Sequence, residues 1–258
     1  MTNGLYYSVC APALFGKLPL GEAVRKIAAC GAEAYEFWGW KPADIEDAYR
    51  AQNDCGIRAS ALCTTHFLLN VPEKRTEYIE GVKNSIKAAK RLGARMLISQ
   101  VGAERKDVSR KEQHESIAQG LKACAPLLED ADVILAIEPL NILVNHPGYY
   151  LTSSREAFDL IDEAGSPSVK VLFDIYHQQI TEGNILESLL ANAEKIAHLH
   201  IAGNPGRREP YENSELDYAY IIKRLAQSGR QGAIGLEYFP TGDPAESLKR
   251  FFEVMPKL

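Results

Sequence analysis

Four consecutive apolar runs in this chain each deliver one acid or imidazole near their end. VILAIEPLN carries Glu138, VKVLFDIYHQQ carries Asp174 with His177 three residues on, IAHLHIAG carries His200, and GAIGLEYFP carries Glu237. An acid at the lip of a buried strand is costly to place without a partner. A lone one is equally well explained as a helix cap or an arginine pair, but four in succession read as one site assembled from four directions. Three carboxylates and one imidazole suit one divalent cation, Mg²⁺ or Mn²⁺, whereas tight Zn²⁺ sites draw more on His and Cys. Without a cation the carboxylates would repel and their pKa values would rise. With one, a substrate can chelate through two adjacent oxygens. The cation then acts as a Lewis acid on a carbonyl and holds the enediolate left when the α-proton is removed. One glutamate takes that proton and the other returns it.

Further residues fall around these four. His177 is a candidate to donate to a substrate oxygen or to orient a carboxylate. His198 shares a strand face with His200 by period two and reads as a structural histidine one layer down. Arg207 and Glu209 lie in the Gly/Pro loop NPGRREP after the seventh strand and are candidate substrate contacts. Three ionised carboxylates and one divalent cation leave the site at about −1, so a carboxylate-bearing substrate needs a further cation. Arg207 could supply it through two parallel hydrogen bonds. His66 is a further substrate-binding candidate. Tyr6, Trp38, Trp40 and Phe67 fall near the ends of the first three strands, where they could form an apolar wall, with ordinary packing the reading for Trp40 and Phe67. His114 and His146 read as surface or loop residues.

Strands able to present these side chains are expected at 5–11, 32–40, 57–63, 94–102, 133–139, 169–175, 196–202 and 232–238. Helical periodicity alternates with them at 18–31, 42–56, 73–93, 116–131, 151–165, 184–195, 216–229 and 244–255. Glycines 31, 56, 93 and 165 serve as stops, and Pro126 is expected to kink or shorten its helix. Eight βα units in about 250 residues predict a single (β/α)₈ TIM-barrel domain over 1–258, whose site lies at the C-terminal strand ends. An open doubly wound sheet is the alternative, but no Gly-rich phosphate fingerprint follows the first strand.

The 29 Lys and Arg against 34 Asp and Glu leave a net charge of −5, which disfavours a nucleic-acid surface. No apolar run approaches the roughly 18 residues of a membrane helix, and no positive charge precedes the N-terminal apolar stretch, so no membrane partner and no signal peptide are expected. The five cysteines lack metal-ligand spacing and read as reduced, mostly buried thiols of a cytoplasmic protein.

The motifs EPLN (138–141), PGYYLT (147–152), FDIYHQQITEG (173–183), HLHIAGNPGRREP (198–210), SELDY (214–218) and GLEYFP (235–240) resemble the hydroxypyruvate isomerase family, within the xylose-isomerase-like barrels. The likeness is weaker near the start, at ALFGK (13–17) and YEFWGW (35–40). The resemblance implies metal ligation by Glu138, Asp174, the strand-seven residue and Glu237, with Glu138 and Glu237 as the acid/base pair. It implies a homo-oligomer, dimer or tetramer. It also implies a sugar or oxo-acid substrate, as in isomerisation of hydroxypyruvate to tartronate semialdehyde or of a 2-oxo-tetronate. Two departures stand out. His200 replaces the glutamine frequent at the strand-seven ligand and is similar to ketose 3-epimerases, and YENSE stands where GTGE is expected. A ketose 3-epimerase acting on a neutral sugar is the alternative reading. Six histidines and the acidic balance disfavour a multi-zinc abasic-site nuclease. Retention of both glutamates disfavours a non-catalytic sugar-binding barrel.

Overall fold

The computed structural model describes residues 4–16 and 18–258. Each apolar run becomes one parallel strand: β1 (Leu5–Cys10), β2 (Ala34–Phe37), β3 (Arg58–Cys63), β4 (Met96–Ser99), β5 (Ile134–Ile137), β6 (Val169–Asp174), β7 (Ile196–Ile201) and β8 (Gly232–Leu236). Strands pair in chain order, and β8 returns to β1 in the register Leu5↔Gly232 through Val9↔Leu236. The expected (β/α)₈ barrel is therefore closed, with each of its eight strands paired on both sides.

Around it lie α1 (Ala11–Phe15), α2 (Leu20–Ala29), α3 (Pro42–Cys55), α4 (Arg75–Leu92), α5 (Arg110–Ala131), α6 (Ser154–Ala164), α7 (Ile175–Thr181), α8 (Ile185–Ala191), α9 (Tyr218–Gln227) and α10 (Pro244–Val254). The stops at Gly56, Gly93 and Gly165 are left-handed, as expected of a glycine past a helix end. Two differences bear on the reading of the sequence. Helix α5 starts at Arg110, six residues before the expected start at 116. Ser109 accepts from the Glu112 backbone N–H while the Glu112 carboxylate accepts from the Ser109 N–H, so the charged residues from Arg110 form the capped start of the helix. Pro126 lies inside this helix without ending it. Helix α7 was not expected at all, because its cap is Asp174 itself, the last residue of β6.

The period-two alternation of the strands divides the core. Val9, Ile137, Val171, Phe173 and Leu199 belong to the large apolar layer shared with the helices. Ala61, Cys63, Ile98, Ala136 and Leu172 form a separate small cluster, the apolar half of the barrel interior. Ala136 precedes Glu138 by two residues and Leu172 precedes Asp174 by two. The acids therefore extend the inner face beyond its apolar filling.

Candidate active site

Glu138, Asp174, His200 and Glu237 are all buried, and each offers one ligand atom within 4.8 Å of the others. Asp174 and His200 are register partners across β6 and β7. His200 Nδ1 lies 3.0 Å from Glu237 Oε2 and 3.6 Å from Glu138 Oε1. The two oxygens of Asp174 face different ways. Oδ1 accepts from the backbone N–H groups of Tyr176, at 2.8 Å, and His177, at 3.3 Å. Oδ2 faces the cluster, 3.4 Å from both His177 Nε2 and Arg207 Nη2.

These donors fit a divalent cation. Glu138 Oε1 and His200 Nδ1 are buried without a hydrogen-bond partner, although both lie in ionic contact within the cluster. Such orphaned polar atoms are costly, and a cation among them would satisfy both together with Asp174 Oδ2. Burial disfavours the His200 imidazolium, but Glu237 and Glu36 on either side outweigh it and push its pKa well up. The cluster thus draws positive charge to the side of the ring that faces it.

Arg207 and His177 complete the wall. Arg207 holds a left-handed backbone (φ 57°) in the loop leaving β7, and its carbonyl accepts from the Phe239 N–H at 2.9 Å. Its guanidinium is buried against Glu237 Oε2 in a short contact and lies 5.5 Å from the Tyr176 ring and 5.8 Å from the Phe239 ring. Burial works against the Glu237 carboxylate, but Arg207 and His200 outweigh it and hold its pKa down to about 2. His177 Nδ1 accepts from the Asn141 backbone N–H at 3.3 Å and lies 2.6 Å from Asn141 Nδ2. A backbone N–H can only donate, so Nδ1 is the acceptor and Nε2 carries the proton of the neutral ring. That ring stays neutral because burial, with Arg207 adding, pushes its pKa down to about 3. Nε2 is buried, unpaired and 3.4 Å from Asp174 Oδ2, a donor at the edge of the cluster.

Glu138, His200 and Glu237 floor a cavity of about 540 Å³ walled by Trp38, Phe67, Tyr149 and Phe239, in which Arg207 is the one Lys or Arg among the described residues. The model of the xylose isomerase-like TIM barrel family matches residues 24–257. Hydroxypyruvate isomerase of Escherichia coli is 32% identical over 92% of this chain and 94% of its own. The chain belongs to the hydroxypyruvate isomerase family of xylose isomerase-like barrels. The 2-oxo-tetronate isomerase of Cupriavidus necator is 29% identical over 70% of this chain and 69% of its own. A solved family 2 AP endonuclease from Brucella melitensis superposes with a TM-score of 0.89, covering 98% of this chain and 100% of its own. At 24% identity that likeness speaks to the fold. As a member of this isomerase family the protein is an enzyme.

In this family member two candidate substrate contacts lie away from the cavity. Glu209 Oε1 accepts from the Thr241 N–H at 2.9 Å and from the Thr241 and Ser247 hydroxyls, both at 3.2 Å. It therefore ties the β7 loop to the start of α10 instead of facing the mouth. His66 is half-exposed against α4, its Nδ1 3.5 Å from Glu77 Oε1, and its neighbour Phe67 lines the cavity in its place. Of the aromatic wall, Trp38 and Phe67 reach the cavity. Trp40 instead donates to the Cys63 carbonyl at 2.8 Å, and Tyr6 sits near the start of β1 under Arg58. His198 is buried below His200, as expected of a structural residue.

Three lining residues carry no strong signal in the sequence. His146, read as a surface or loop residue, lies in the loop after β5 and lines the cavity with its ring 5.2 Å from that of His177. Gln100 donates to Glu138 Oε2 at 3.3 Å. Glu36, in mid-β2, lies 2.6 Å from His200 Nε2. An acid within YEFWGW, read by period two, was the available clue to it.

Proposed function

We propose that the protein isomerises a small oxo-acid, moving a carbonyl between adjacent carbons, with one Mg²⁺ or Mn²⁺ held by Glu138, Asp174, His200 and Glu237. The observation that carries the oxo-acid is Arg207, the one Lys or Arg of the described cavity wall, buried beside Glu237. Arginine holds carboxylates through paired donors, and an anion in a partly dry pocket needs such a partner. The names of the E. coli and C. necator relatives, hydroxypyruvate isomerase and 2-oxo-tetronate isomerase, agree with an acidic substrate of three or four carbons.

A divalent cation in this position supplies Lewis-acid polarisation of the substrate carbonyl. The chain's own residues do the rest. Arg207 binds and orients the carboxylate. One of Glu138 and Glu237, as carboxylate, takes the α-proton; the other, in its acid form, returns a proton to the neighbouring carbon, while the substrate hydroxyl proton passes to the former carbonyl oxygen. His177, as the Nε2–H tautomer, donates to a substrate oxygen as negative charge develops on it. Trp38, Phe67 and Phe239 form the apolar side of the cavity, against which the carbon chain of a small substrate can pack.

A ketose 3-epimerase acting on a neutral sugar would use the same two glutamates on opposite faces of one carbon. One observation favours it: Arg207 is already paired to Asp174 and Glu237. Incubating the Mn²⁺-loaded protein in D₂O with hydroxypyruvate, a 2-oxo-tetronate, tagatose and fructose separates the two. Deuterium at the α-carbon of an oxo-acid supports the isomerase, whereas exchange in the ketoses alone sinks it.

A further inference from the structure

Glu36 is a carboxylate in the barrel interior, fully buried, on a strand that contributes none of the four cluster donors. Its two oxygens are used separately. Oε1 meets His200 Nε2 at 2.6 Å, while Oε2 meets His198 Nε2 at 3.1 Å and accepts from the Ser60 hydroxyl at 3.3 Å. Two imidazole nitrogens and a hydroxyl thus converge on its two oxygens, the surroundings of an accepting carboxylate. Two features of the backbone favour the contact. A register irregularity between Tyr35 and Glu36 lets β2 re-aim the side chain. Gly235, the register partner of His200, leaves the necessary room: a Cβ there would stand 2.5 Å from His200 Cδ2 and 2.6 Å from Glu36 Oε1.

A carboxylate can only accept, so His200 must present Nε2–H to Glu36. With Nε2–H held by Glu36, the nitrogen left to give up its proton and offer a lone pair to a cation is Nδ1, which faces Glu138 and Glu237. We infer that Glu36 is a positioning residue that holds His200 by its Nε2–H and aims Nδ1 at the cation site. This rests on the reading of a divalent cation among the four donors. His198 and Ser60 share the second oxygen of Glu36 and so hold the carboxylate in place. The arrangement is the carboxylate–histidine pairing that tunes ligand imidazoles elsewhere, here formed across the inside of the barrel.

The test uses the full-length chain as wild type and Glu36→Gln, which preserves size and offers a neutral acceptor. Two properties are read: Mn²⁺ affinity by calorimetry, and the His200 Nε2–H proton resonance in the cation-free protein. In the wild type that proton is expected far downfield and slow to exchange. In Glu36→Gln it should move upfield and Mn²⁺ affinity should fall by about 10-fold to 100-fold, with the melting curve checking that the fold persists. Glu36→Ala should lose the resonance altogether. A Glu36→Gln protein with wild-type Mn²⁺ affinity and an unmoved Nε2–H resonance would overturn the inference, because a residue that merely fills the barrel would behave in that way. A wild-type chain that takes up no Mn²⁺ would defeat the cation reading and with it the aiming of Nδ1. The resonance would then decide the Glu36–His200 bond by itself.

Discussion

Arg207 and Glu237 are in direct ion-pair contact at the barrel mouth, so one of the four cluster carboxylates is shared with the side chain best placed to receive an acidic substrate. The same guanidinium lies 3.4 Å from Asp174 Oδ2. Substrate carboxylate and cluster carboxylates therefore compete for one cation.

From this competition, Arg207→Ala is expected to raise KM for an oxo-acid by roughly 1.5–3 kcal/mol of binding, the worth of a charged hydrogen bond. Neutral ketoses should be far less affected. Removing the guanidinium should also tighten Mn²⁺ binding, since a competitor for Glu237 and Asp174 is gone. Steady-state kinetics and Mn²⁺ titration of the same variant check both, and an oxo-acid KM within error of wild type would refute the assignment.

Glu138→Gln and Glu237→Gln should each lower turnover by about 10²-fold or more, as for a positioned proton-transfer group. Because both side chains also belong to the donor set, Mn²⁺ content must be measured alongside the rate. If either variant retains its cation and near-wild-type deuterium exchange in D₂O, the two-glutamate scheme fails.

His177→Phe keeps the ring volume but removes the Nε2–H donor. We expect kcat/KM to fall by about 10-fold, one buried hydrogen bond to a developing charge, with little change in Mn²⁺ content. The variant also leaves Asn141 Nδ2 without His177, although Asn145 Oδ1 still accepts from it at 3.1 Å. A variant with unchanged kcat/KM would remove His177 from the substrate site.

Away from the barrel, His114 on α5 lies 2.9 Å from Glu163 Oε1 and 3.3 Å from Glu156 Oε1, while Arg110 and Tyr150 also bind Glu156. Burial disfavours the imidazolium, but the two glutamates outweigh it and raise the pKa above its ordinary 6.5. A raised folded-state pKa contributes stability that is fully present below the unfolded value and lost as pH rises through the folded one. Wild type should therefore exceed His114→Gln in melting temperature most at about pH 5–6 and converge with it by about pH 9. The difference should correspond to no more than ~1 kcal/mol, the scale of a partly exposed pair. A gap that widens with rising pH would contradict the assignment.

The barrel and the four cluster donors were legible in the chain because both are written in local periodicities. Apolar runs alternating with helical stripes imply βα units, and an acid or imidazole placed two residues beyond an inward apolar residue must share its face. Glu138 follows Ala136 and Asp174 follows Leu172 in this way. Helix α7 escaped that reading because its cap, Asp174, is also a strand end, and one residue cannot announce both roles.

Only the tertiary structure decided the partners of those four. Glu36 is separated from His198 and His200 by 162 and 164 positions and meets them across the closed barrel, through a strand irregularity and beside a glycine that leave no periodic trace. Arg207 and Glu209 are two residues apart in one loop, yet one lines the cavity and the other binds Thr241 and Ser247. Loop residues have no repeat to set their direction. That direction comes instead from the left-handed turn at Arg207 and from the distant groups that satisfy each side chain once the chain has folded.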